Sequence, residues 1–250
     1  MEVIESVSSG KMFAGFQDFV KLTGFPCREL GDILPPDVAQ KPSGDRAWPF
    51  RFFNDADIIA VGNYRFQCIS MPGHSPGHTC LYESKKGLFL AGDPLLSDIT
   101  PGIQAHSDTL DPLRDIFKAL TRSFPWTSDS LLPGHGDAFT RFKERITELK
   151  EHHRARASKI VAELEQDGRI VYEVASKVSW NVADSDSWHS VPELQKLLAT
   201  GEAFAHLKYL EGKGCVRRGR DYRIDDQELR EQRWVNSNEA ELLAFRLLGS

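Results

Sequence analysis

Apolar and polar positions alternate most regularly between residues 57 and 92. Asp57–Asn63 is a short apolar run closed by a Gly-Asn turn, and Tyr64–Ser70 alternates with the period of a strand. Thr79–Tyr82 and Gly87–Ala91 repeat that texture around a polar turn at Glu83–Lys86. The pattern predicts a meander of short strands joined by hairpin-length connections. The period then changes. Asp111–Phe124 places Leu113, Ile116, Phe117 and Leu120 on one helical stripe, and Ser130–Leu132 is one more short strand. Phe139–Leu164 reads as a long helix rich in Arg, Glu and Lys. At the amino-terminal side, Met12, Phe13, Phe16, Phe19 and Val20 have helical spacing within Lys11–Leu22, a helix ended by Gly24 and Pro26. Asp32–Phe50 contains four prolines and reads as loop, either a lid or a structural arm.

Beyond Asp167-Gly168 the pattern predicts helices at Val171–Val178, Val191–Thr200 and Ala203–Leu210. A hairpin of Cys215–Arg218 with Asp221–Ile224 follows. Three short helices and a hairpin describe a winged helix. The expected class is thus mixed α/β (α+β) in two domains. Residues 1–150 form the first, with 1–50 a helical arm and loop and 51–150 a sheet with helices. Residues 151–232 form a winged-helix-like second domain, and 233–250 a tail or helix.

Composition narrows the function classes. The chain has 250 residues, 40% hydrophobic and 27% charged, with a formal net charge of -5. That excludes whole-chain disorder and a broadly basic nucleic-acid-coating protein. No stretch approaches 18 apolar residues, so no membrane association is expected. Four cysteines without C-x-x-C spacing, and no basic-then-apolar leader, suggest a reduced, cytoplasmic protein. Arg217, Arg218, Arg220 and Arg223 form a basic cluster, but Asp221, Asp225, Asp226 and Glu228 offset it. Nucleic-acid binding is therefore not expected.

Candidate chemistry gathers at three strand ends. Pro72-Gly73-His74-Ser75-Pro76-Gly77-His78, Ala91-Gly92-Asp93 and Leu132-Pro133-Gly134-His135-Gly136 each follow a predicted strand and open a loop. Loops on a rigid sheet are where sites are commonly built. Imidazole and carboxylate suit zinc, iron or manganese. Singly, each motif is an ordinary turn; their recurrence in one local context points to a shared metal site.

These three motifs, in this order, resemble those of the metallo-beta-lactamase-fold hydrolases over residues 57–150. Members carrying a carboxy-terminal winged helix are the most similar. The resemblance implies a partial αββα sandwich and makes His74, Asp93 and His135 the metal ligands, with Asp93 bridging two metals. His78 falls at a second histidine that supports rather than ligates. Zinc is the implied cofactor, with iron or manganese also suited. The implied activity is metal-dependent hydrolysis of an ester or thioester small molecule.

One departure limits that expectation. The family's H-x-H-x-D-H motif, which lies upstream of the other three and supplies four further ligands, occurs nowhere in this sequence. The sequence therefore reads as an amino-terminally truncated member, incomplete or inactive, with weak or partial metal occupancy. Two alternatives stay open: a non-catalytic binding or regulatory module built on the winged helix, and a nuclease-like phosphodiester hydrolase when complete. One face of the single sheet, carrying Phe66, Cys68, Leu81, Leu88 and Leu90, would lack a partner sheet. The expected covers are residues 1–50, through Phe13, Phe16, Phe19 and Trp48, and a second copy in a homodimer.

Overall fold

A computed structural model describes residues 19–29, 51–105, 107–123, 128–164, 168–180, 187–219, 222–223, 230–231 and 234–236. The chain divides into two units, with the boundary after Arg156, inside a helix. One unit holds residues 50–104 and 111–156; the other gathers 105–110 and 157–250 together with the amino-terminal segment.

The first unit is built on a five-stranded sheet in sequence order. Its strands are β1 (Ile58–Val61), β2 (Tyr64–Ser70), β3 (Thr79–Glu83), β4 (Leu88–Gly92) and β5 (Ser130–Pro133). The first four are antiparallel neighbours, as hairpin-length connections require, and β5 joins β4 in parallel. That parallel step needs a crossover, supplied by α1 (Pro112–Ser123). A second helix, α2 (Phe142–Ala162), follows β5.

The register sorts the side chains onto two faces. One face aligns Ile69 with Cys80 and Phe89 with Leu131, all buried, and Phe89 packs edge-on against Phe142 of α2 with ring centroids 5.1 Å apart. The other face aligns Cys68, Leu81, Leu90 and Leu132 in one row. Leu132 at the end of that row is 39% exposed, and Val61 on the same face is 58% exposed. Phe19, one of the residues expected to cover the sheet, is buried in the core of the other unit. Phe13, Phe16 and Trp48 lie outside the described residues.

The second unit centres on Phe204 and Trp234, packed with Phe19, Phe25, Val171, Val174 and Leu207. It includes the helices α3 (Val171–Lys177) and α4 (Glu193–Gly212). The predicted break between two helices at Thr200 and Ala203 does not occur, and α4 is continuous. Gly201 is a buried interior residue of that helix, and its carbonyl also accepts the Ala105 N–H at 3.1 Å.

The predicted hairpin is also rearranged. Strand β6 (Val216–Arg218) pairs with β9 (Trp234–Asn236), while β7 (Tyr222–Arg223) pairs with β8 (Arg230–Glu231). The partner of β6 thus comes from the stretch read as tail or helix. Burial of Trp234 explains the choice: its ring stands edge-on to Phe204 at 6.4 Å, and its backbone exchanges two hydrogen bonds with Arg169. Among the described residues, no helix is long and apolar enough to cross a membrane.

Candidate metal centre

Three loops bring the sequence motifs to one end of the sheet. The first leaves β2 at Ser70. Asp55 accepts the Ser70 N–H at 2.7 Å, and Arg122 of α1 donates to the Ser70 carbonyl at 2.6 Å and to Asp55 at 2.9 Å. The loop closes where the Met71 N–H meets the His78 carbonyl at 2.9 Å. His74 stands at its tip.

The second loop leaves β4 through Gly92, whose φ of +61° turns the chain in a way that favours glycine. A Cβ at Gly92 would also strike the His78 ring, 2.5 Å from Cε1. Asp93 follows directly. The third loop leaves β5, and the Gly134 N–H donates to the Gly92 carbonyl at 3.0 Å, which ties it to the second. A Cβ on Gly134 would collide with the Asp93 carboxylate. The glycines of the two motifs are therefore what lets Asp93 and His135 stand side by side.

Asp93 lies between the two imidazoles. His74 Nε2 is 3.5 Å from Oδ2, and His135 Nε2 is 3.6 Å from Oδ1. The outer nitrogen of His74, Nδ1, donates to the Gly102 carbonyl at 2.9 Å. That hydrogen bond places a ring proton on Nδ1 and turns Nε2 toward Asp93. His74 and Asp93 side chains are about one-third exposed, and His135 is more open still.

The donor set fits a metal cation. With Nδ1 holding the proton of a neutral imidazole, Nε2 and the carboxylate 3.5 Å away would both be Lewis bases, and a positive ion between them would satisfy both. His74 Nε2, Asp93 and His135 Nε2 are the atoms that could hold it. Water or other groups would have to complete the coordination.

His78 does not face this point. Its Nε2–H donates to the Ala91 carbonyl at 3.0 Å, behind the Asp93 turn. Burial pushes its pKa below that of a free imidazole, the Ala91 hydrogen bond opposes the shift, and the neighbouring His74 adds to it. Its neutral ring is thus a brace on the strand end. His106 lies outside the described residues. Two contributors carried no sequence signal: the Gly102 carbonyl that fixes His74, and the contact that obliges residue 134 to lack a side chain.

No protein-family model matches the chain. It is similar to the probable metallo-hydrolase YqjP of Bacillus subtilis, 25% identical over 153 residues, covering 59% of this chain and 45% of that protein. It is also similar to the human acyl-coenzyme A thioesterase MBLAC2, 28% identical over 134 residues, covering 48% of this chain and 46% of the other. The chain thus spans about half the length of these curated relatives. Among solved structures, the metallo-beta-lactamase family protein TTHA1429 of Thermus thermophilus aligns with a TM-score of 0.67 at 23% identity. That alignment covers 93% of this chain and 69% of the other. The chain therefore has homologues among metallo-beta-lactamase-fold proteins and shares their fold.

Proposed function

We propose that the chain carries part of the metal centre of a hydrolase that cleaves a thioester or related acyl ester. The carrying observation is the placement of one carboxylate, Asp93, between His74 Nε2 and His135 Nε2, with a different oxygen toward each. Similarity to proteins named as a metallo-hydrolase and an acyl-coenzyme A thioesterase supports the reaction class.

In this reading Asp93, His74 and His135 would hold the metal. A metal bound there would polarise the acyl carbonyl and lower the pKa of a bound water. The chain's own residues supply orientation. Gly102 holds His74 in the ligating tautomer, and Gly134 lets the carboxylate approach the third loop. Without the ligands of the H-x-H-x-D-H motif, the chain alone binds metal weakly and turns over poorly. Zinc is the proposed ion. The carboxy-terminal unit is proposed to be a variant winged helix, with one long helix where two short ones are usual.

Zinc affinity measured at equilibrium, by competition with a chelating dye, tests the reading together with a thioester assay on an acyl-coenzyme A. Measurable zinc binding by the wild-type chain, weakened in Asp93→Ala, is expected. Equal affinity in both proteins would sink it. Cleavage of a phosphodiester but not a thioester would move the reading to the nuclease alternative.

A further inference from the structure

We propose that Arg145, in α2, is a positioning residue for the His74–Asp93 pair, acting through the loop that links their supports. The inference rests on the metal reading for its purpose but not for its geometry. Asp93 opens this loop and Gly102, whose carbonyl orients His74, lies near its end. Nothing between them is helix or strand, so the separation of these two points is not set by a backbone ladder.

Arg145 supplies the missing constraint. Its side chain is only 8% exposed, unusual for an arginine on a helix of charged residues. Nε donates to the Leu96 carbonyl at 2.7 Å and Nη2 to the Ile99 carbonyl at 2.8 Å. Leu96 follows Asp93 by three positions, and Ile99 precedes Gly102 by three. One planar group thus holds the middle of the loop from both sides. A guanidinium presents its donors in a rigid fork, so the two carbonyls are fixed relative to each other as well as to α2.

The third arm, Nη1, donates to Glu148 at 2.9 Å. Glu148 also accepts from Arg141 at 2.8 Å, and these hydrogen bonds, that from Arg145 first, hold its carboxyl below the usual range. Glu148 therefore anchors Arg145 to the helix while the other two arms reach the loop. Leu95, Leu96 and Ile103 are buried, so apolar contacts keep the loop down. They leave its sliding and rotation free, because packing is not directional. Hydrogen bonds to two named carbonyls are directional.

The test follows the imidazole of His74 in metal-free protein by long-range proton–nitrogen NMR, with His74→Gln to assign the signal. The wild-type ring should show one tautomer with the proton on Nδ1. Arg145→Ala should give a mixture of tautomers. Zinc affinity, measured by competition with a chelating dye, should fall 10- to 100-fold, the range seen when the groups that orient ligands are removed. If Arg145→Ala does not fold, Arg145→Lys decides: it keeps charge and stem but cannot bridge both carbonyls, and should show the same mixture. An unchanged His74 spectrum in either variant, folded by circular dichroism, would overturn the proposal. Absence of zinc binding by the wild-type chain would count against the metal reading instead, since the metal-free spectrum judges Arg145 by itself.

Discussion

Asp93 and Asp108 are both partly exposed carboxylates in ion-pair geometry, yet their surroundings differ in kind. Asp108, in the second unit, accepts from Arg218 at 2.5 and 2.7 Å and from Lys208 at 3.0 Å. These hydrogen bonds, that from Arg218 first, hold its pKa at about 2. Arg218 is in turn shared with Glu211 at 2.9 Å and lies over the Trp234 ring at 4.9 Å. Every charge in that network has a permanent partner. Among the described residues the ion-pair partners of Asp93 are two imidazoles, and the His74 Nδ1–H is donated to the Gly102 carbonyl. A carboxylate matched by fixed cations braces a fold. Under the proposed metal reading, one that faces imidazole nitrogens is arranged for a cation from outside.

The largest effect should come from Asp93 itself. Asp93→Ala should weaken zinc binding by about 100-fold or more, beyond what loss of an orienting group costs. Zinc should raise the Tm of the wild-type chain, since a ligand that binds only the folded state stabilises it. That rise should vanish in Asp93→Ala and persist in Asp108→Asn. A zinc-induced rise lost in both variants would break the comparison.

Gly134→Ala should come next. Its methyl would displace the carboxylate, so zinc affinity should fall roughly 10-fold or more while the fold persists. Isothermal titration with zinc checks it, and wild-type affinity would show that the loops yield more easily than the geometry implies.

Asp108→Asn should have a smaller effect, on stability alone. Exposure limits the loss to about 1 kcal/mol near neutral pH, as for other exposed ion pairs. The folded-state pKa lies below the unfolded value of about 3.9, so the aspartate stabilises above roughly pH 4. That contribution fades as pH falls through about 2. Denaturant melts of wild type and variant should converge over this window. A gap constant with pH would mean that shape, not charge, matters at this position.

The smallest change should follow His78→Gln, which keeps a donor for the Ala91 carbonyl; zinc affinity should stay within about 3-fold of wild type. His78→Leu, which removes the donor, should cost about 1 kcal/mol of stability, read from the shift in denaturant midpoint.

The alternation through Tyr64–Ser70, Thr79–Glu83 and Leu88–Gly92 determined the sheet before any tertiary contact, because a half-buried strand writes its period locally. The three glycine-flanked motifs likewise marked His74, Asp93 and His135, since Gly73, Gly92 and Gly136 have the positive φ that favours glycine in a turn. Residues whose state depends on distant partners were not legible in this way. The pattern on either side of Gly201 reads as two helices, but one continuous helix runs through it, and its carbonyl accepts the Ala105 N–H. Trp234 reads as part of a tail, but the Phe204 core draws it into a strand beside Val216–Arg218. Phe19 has the spacing of a helix that could have covered the sheet, and it is buried in the other core instead. Arg145 is one charge among many on its helix, and only the fold carries the Leu96 and Ile99 carbonyls to it. Local periodicity and turn chemistry act over a few residues and are written in order along the chain. Which core a side chain enters, and which carbonyl it meets, depends on segments tens of residues away, and only folding brings those together.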